Sequence, residues 1–137
     1  MLGKVIQLHG RRMFECAMDG TLLGSDKDAV ELLSAAWGEG ADFLLIPVTR
    51  LDNAFFDLKR GVAGNLVQKF GNYGMRCAII GKIAQHLERS RALRDFVTEC
   101  NRGRQIWFVE DHEELAGRLG QEQSALLHGP MNLSEEG

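Results

Sequence analysis

Short apolar runs alternate with segments of helical periodicity along most of this chain. Val5-Ile6-Gln7-Leu8 predicts a first strand, and Met13 to Met18 a second, with Gly10-Arg11 as the turn between them. So short a link predicts a β-hairpin. Asp19-Gly20 then breaks the chain. Ser25, followed three residues later by Asp28, has the form of a capping box with Asp in place of Glu. Ala29, Val30, Leu32, Leu33, Ala36 and Trp37 fall at helical spacing, and Gly38 and Gly40 supply the stop.

Phe43 to Val48 is a continuous apolar run, which suits a strand buried on both faces. Pro47 cannot donate to a ladder, so it belongs near the strand end. Leu51 to Phe56 reads as a connector with room for one helical turn, and Asp57 to Tyr73 as the second main helix. Gly61, Ala63 and Gly64 are weak helix formers, but their small size would let that turn approach the sheet closely. Arg76 to Gly81 predicts the fourth strand. A third helix runs from about Ser90 to Asn101 with Gly103 as its C-cap, and Gln105 to Val109 predicts the fifth strand. Asp111 caps a last helix ending at Leu119, and periodicity then fades, so that 120–137 reads as a mobile tail beyond a domain of 1–119.

The predicted order, β-β-α-β-α-β-α-β-α, implies a single α/β domain. Its five-stranded sheet is mixed and mostly parallel, with an N-terminal hairpin and about four helices. Sheets of this kind place ligands outside the carboxyl ends of their strands. Those ends carry Thr49 and Arg50, Gly81 and Lys82, and Glu110 to His112.

Composition narrows the function classes. A length of 137 residues suits one core, and a net charge of −3 offers no excess of cations for nucleic acid or an anionic membrane. Cys16, Cys77 and Cys100 are too widely spaced for a metal or redox pair. The chain opens on no signal-peptide core, and no apolar run approaches the ~20 residues of a membrane span. The expectation is a cytoplasmic protein that holds no metal and no cofactor.

Two long stretches carry a family resemblance. They are Phe55 to Phe70, FFDLKRGVAGNLVQKF, and Ala92 to Val109, ALRDFVTECNRGRQIWFV; Tyr73 and Ala78 to Gly81 fit between them. Over roughly Met13 to Leu119 the chain resembles a bacterial family known as domain of unknown function 4180. The resemblance implies a small α/β fold and no stated activity. The order of elements is also similar to that of anti-sigma-factor antagonist (STAS) domains, an analogy of fold alone. The chain departs from the family pattern at Arg60 for Thr, Asn65 for Glu, Lys82 for Asp, Ala84 for Ser and Cys100 for Ser. If the family has a catalytic site built on those polar groups, the resemblance implies that this member lacks it.

The candidate ligand-binding residues are Arg50, Asp57, Lys59 and Arg102. Asp57 stands at a predicted helix start, where capping is the simpler account of a carboxylate. Arg102 and Arg104 flank a turn and could hold a carboxylate or phosphate, although cations at a helix end need no ligand to explain them. Asp111-His112-Glu113-Glu114 invites a metal reading, but acids in a first helical turn are expected electrostatically. Thr49 is a lone hydroxyl where STAS-type regulators are phosphorylated. Of Phe55 and Phe56 one could be core and the other exposed. An exposed Phe beside Trp37 or Trp107 would mark a partner surface, but core packing is the simpler reading.

No nucleophile elbow and no phosphate-binding loop is present. The reading is a non-catalytic binding or regulatory module with a protein or small-molecule partner, and a homodimer is one expected assembly. The alternative is a small enzyme or carrier with its site at the strand carboxyl ends.

Overall fold

The computed structural model describes residues 2–20 and 22–136, with side chains up to residue 125. Strands β1 (Gly3–Leu8), β2 (Arg11–Cys16), β3 (Phe43–Pro47), β4 (Arg76–Ile80) and β5 (Ile106–Val109) form one sheet in sequential order. β1 pairs antiparallel with β2, and the other three pairings are parallel. The hairpin turns on His9 and Gly10, one residue earlier than predicted, with φ of 50° and 73°. Two successive positive φ values match the twist of the flanking strands.

The parallel strands advance in one direction across the sheet, so right-handed crossovers put their helices on one face. α1 (Asp26–Gly38), α3 (Val62–Asn72) and α5 (Arg91–Arg102) lie there, packed on Phe14, Leu44, Ile46, Ile79 and Phe108. The opposite face presents Met13, Phe43, Leu45, Ala78, Trp107 and Val109 to Leu115 and Leu119 of α6 (His112–Glu136). Alternate residues of β3 therefore enter different cores, which is why Phe43–Pro47 has no polar position. Pro47 ends β3, as its missing donor requires.

The capping box at Ser25 and Asp28 forms as expected. The predicted helix over Asp57–Tyr73 is broken: Gly61, at φ 77°, separates a 3-10 turn, Leu58–Arg60, from α3. A left-handed residue cannot lie inside a helix, and glycine takes that conformation most cheaply. Ala63 reaches the core, whereas Gly61 and Gly64 face open space, so only the alanine serves the close approach. Two short helices, α2 (Asn53–Phe56) and α4 (Ala84–Arg89), raise the helix number to six, against about four expected. Phe55 and Phe56 are both buried, the latter stacked on His86 with centroids 4.0 Å apart. Trp107 is buried too. Trp37 and Tyr73 remain half exposed in an edge-to-face pair.

The helix predicted to stop at Leu119 continues as α6. Glu122 accepts hydrogen bonds from Arg76 and Arg104, and Gln123 donates to the His9 carbonyl. The rest of the expected tail falls largely on side chains outside the described residues. Among the described residues no helix is long and apolar enough to cross a membrane.

Candidate binding site at the carboxyl ends of the strands

β2 to β5 run the same way, so the segments that follow them gather at one end of the sheet. The 3-10 turn Val48–Arg50 after β3 organises this end. The Thr49 hydroxyl donates to the Met18 carbonyl at 3.0 Å, and an Arg50 Nη1 donates to the Ala17 carbonyl at 2.8 Å. The Leu23 amide donates to the Arg50 carbonyl at 2.7 Å, and Leu23 bridges Leu51 in parallel. These contacts hold the loop after β2 over the sheet end, with a cleft on either side.

The cleft on the α1 side has a volume of about 520 Å³ and contains Asp19, Lys27, Asp28, Glu31 and Arg50. Arg50 is 4% exposed, and its guanidinium lies against Gly20. A Cβ on Gly20 would come within 3.2 Å of the guanidinium carbon, and its φ is +135°, so both space and backbone ask for glycine. Asp28 is occupied by capping. Its carboxylate accepts from the Gly24 amide at 3.1 Å, the Ser25 hydroxyl at 2.9 Å and the Ser25 amide at 3.2 Å. Those bonds, the Gly24 amide foremost, hold its pKa below the ordinary carboxylate value.

The cleft on the α6 side has a volume of about 470 Å³. Leu45, Pro47, Val48, Ile80 and Met18 give it a mainly apolar lining, and Glu15, Thr49, Lys82, Glu110 and His112 stand around it. Gly81, at φ +147°, lets the chain leave β4 so close to Val48 that a Cβ would lie 2.7 Å from its Cγ2. Glu15 projects from the α6 face of β2 and meets His112 Nε2 at the start of the helix. Lys4 flanks the same carboxylate at 3.9 Å. Asp111 accepts from the Glu114 amide at 2.8 Å, and Glu114 accepts from the Glu110 amide at 2.7 Å. These acids are thus cap and ion-pair groups. Among the described residues no cluster of three or more His, Cys, Asp or Glu could hold a metal.

The four residues singled out in the sequence are not brought together. Only Arg50 lines either cleft. Asp57 caps the 3-10 turn through the Lys59 amide at 3.3 Å and pairs with Arg60 at 3.5 Å, and Lys59 is exposed. Arg102 is exposed, pairs with Glu99 at 2.8 Å, and ends α5. α5 leads into β5, so Arg102 stands at the amino end of the sheet, opposite both clefts. Glu15 and Met18 were not legible as site residues. The one available signal was an acid inside the otherwise apolar run Met13–Met18.

Burial also decides the state of the thiols. It pushes Cys16 up to about 12 although the Arg50 charge pulls the other way. Burial lifts Cys77 well above the ordinary thiol value and Cys100 to about 11. Each is a protonated thiol near neutral pH and a poor nucleophile, Cys16 and Cys77 in the core and Cys100 partly buried.

No curated protein and no solved structure matches this chain. A family model, Domain of unknown function (DUF4180), matches residues 8–119, which takes in all of β2 to β5 and the whole lining of the α6-side cleft. With the greater part of its length covered, the chain belongs to that family.

Proposed function

We propose that this protein is a non-catalytic binding module whose ligand is a small, largely apolar molecule held in the α6-side cleft. The observation that carries this reading is the combination of an apolar lining with polar groups confined around it, at the carboxyl ends of β3 and β4. That is the usual make-up of a small-molecule site, and the usual place for one in a mostly parallel sheet. Catalysis is disfavoured by the state of the groups on hand. The thiols are held protonated, and Glu15, His112 and Asp111 are engaged in pairing and capping. Lys82 is exposed at the cleft and has no ion pair among the described residues, so it favours a ligand with an anionic end.

Titration with 8-anilinonaphthalene-1-sulfonate tests this. The probe joins an apolar ring system to one anionic group. Saturable binding of one probe per chain is expected. Ile80→Trp, which fills the cleft, should abolish it. Lys82→Glu should weaken it about tenfold, which corresponds to ~1.4 kcal/mol. Binding that survives Ile80→Trp unchanged would refute the reading.

A further inference from the structure

The two edges of the sheet are treated differently. β5 ends the sheet on one side, and its outward backbone groups at Phe108 are taken by a side chain. The Asn101 amide accepts from the Phe108 N–H at 2.7 Å and donates to the Phe108 carbonyl at 3.3 Å. An amide turned on an edge in this way occupies the groups that a further strand would need.

β1 ends the sheet on the other side. In its ladder with β2, Leu8 opposes Arg11 across the two-residue turn, and the Ala17 amide donates to the Leu2 carbonyl. Leu2, Lys4, Ile6 and Leu8 therefore turn their backbone groups toward β2, and Gly3, Val5 and Gln7 turn theirs outward. Among the described residues no hydrogen bond engages those outward groups. Gly3 carries no side chain to shield them. A Cβ there would collide with the Glu15 carbonyl.

We infer that β1 pairs antiparallel with β1 of a second copy of this chain, about a two-fold axis at Val5, joining two sheets into one of ten strands. In that register Val5 faces the partner's Val5, and Gly3 faces the partner's Gln7. Three such pairs form about six main-chain hydrogen bonds. Leu2, exposed in the single chain at the rim of the α1-side cleft, stands opposite the partner's Leu8 in this register. The stem of Lys4 lies beside the partner's Ile6, while its ammonium keeps its own Glu15. The two Lys4 side chains are offset along the strands, so like charges do not oppose one another. A second copy fits better than a foreign peptide because this strand complements itself. With the β5 edge closed, pairing through β1 also ends at two chains and does not propagate.

Analytical ultracentrifugation of the full chain over ~1–100 µM tests this, since mass action governs the assembly. A species of about twice 15.2 kDa is expected. Val5→Pro removes an outward N–H that its own ladder does not use, and should give a monomer. Leu2→Asp, at an exposed position, should raise the dimer dissociation constant at least tenfold and serves if the proline variant folds poorly. Val5→Cys should cross-link two chains on oxidation, because hydrogen-bonded antiparallel pairs bring Cα atoms to about 5.5 Å, within disulfide reach. A wild-type monomer throughout this range would overturn the inference. So would a dimer that Leu2→Asp leaves intact and Val5→Cys does not cross-link.

Discussion

Glu122 receives both arms of the Arg76 guanidinium, Nη1 on Oε1 at 2.9 Å and Nη2 on Oε2 at 3.0 Å. Arg104 Nε adds a third bond to Oε2 at 2.9 Å. The Arg76 guanidinium also lies over two rings, 5.0 Å from the Phe43 centroid and 4.8 Å from that of Trp107. This joins α6 to the amino ends of β4 and β5. Bidentate pairing fixes direction as well as distance, and the aromatic faces favour the cation.

Glu122→Ala should therefore cost roughly 1.5–3 kcal/mol, the range for hydrogen bonds to charged groups, because it leaves Arg76 largely buried without its acid. Urea unfolding measures this. Ending the chain at Leu119 should cost at least as much, since Gln123 and its bond to the His9 carbonyl are lost too. If both shortened and full chains unfold at the same urea concentration, the ion pair contributes nothing.

The same carboxylate predicts an acid limb. Burial alone would raise the Glu122 pKa, but the bonds and charges of Arg76 and Arg104 outweigh it and hold the value below normal. A lowered folded-state pKa means that the unfolded chain binds the proton first as pH falls. The stabilisation is complete above the unfolded value, near 4.5, and is lost as pH drops through the folded one. Glu122→Gln should flatten this limb in a urea midpoint series below pH 5.

Alkaline conditions should act in the opposite sense through Cys16. Its pKa is raised from 9.0 to about 12, so the unfolded chain loses the proton first as pH rises. Stability from this group is complete below pH 9 and is lost between 9 and about 12, at up to ~1.4 kcal/mol per pH unit. Cys16→Ala should make the decline shallower. Near neutral pH, Cys16 and Cys77 should resist a thiol reagent until denaturant is added.

Asn101→Ala should expose the edge of β5. Two hydrogen bonds to Phe108 are lost, for about 1–3 kcal/mol, and the unpaired strand becomes a template for association. Light scattering should then show species beyond the wild-type state at high concentration.

Gly81→Ala probes the α6-side cleft. The φ of +147° and the 2.7 Å approach to Val48 both oppose a side chain there. Strain of this kind costs about 1–3 kcal/mol. Thermal unfolding should show the loss, and probe binding in the cleft should weaken because Val48 must move.

Local chemistry made much of the fold legible. The unbroken apolar run at Phe43–Pro47 suited a strand covered on both faces, and it forms one. Ser25 and Asp28 announced their helix three residues apart, through bonds formed within one turn. Asp57 was equally local, and its cap formed as the simpler reading had it, though on a 3-10 turn and not on α3. The break at Gly61 was harder to see, because the apolar rhythm runs through it and only the backbone angle shows it.

Other features had no local signature. Glu15 and His112 lie 97 positions apart and meet only because β2 and the start of α6 share one end of the sheet. Arg50 and Arg102 were both candidate ligand-binding residues, yet strand direction puts one in a cleft and the other at the far end. The reach of α6 past Leu119 depends on Arg76, Arg104 and His9, which belong to distant segments. The sequence by itself determined the five strands, the starts of the first and last helices, the order of the main elements and the two-faced burial of the central strands, because those follow from periodicity and capping along the chain. Only the tertiary structure decided the clefts, the pairing of charges and the contrast between a closed and an open sheet edge, because each needs groups that the chain brings together from afar.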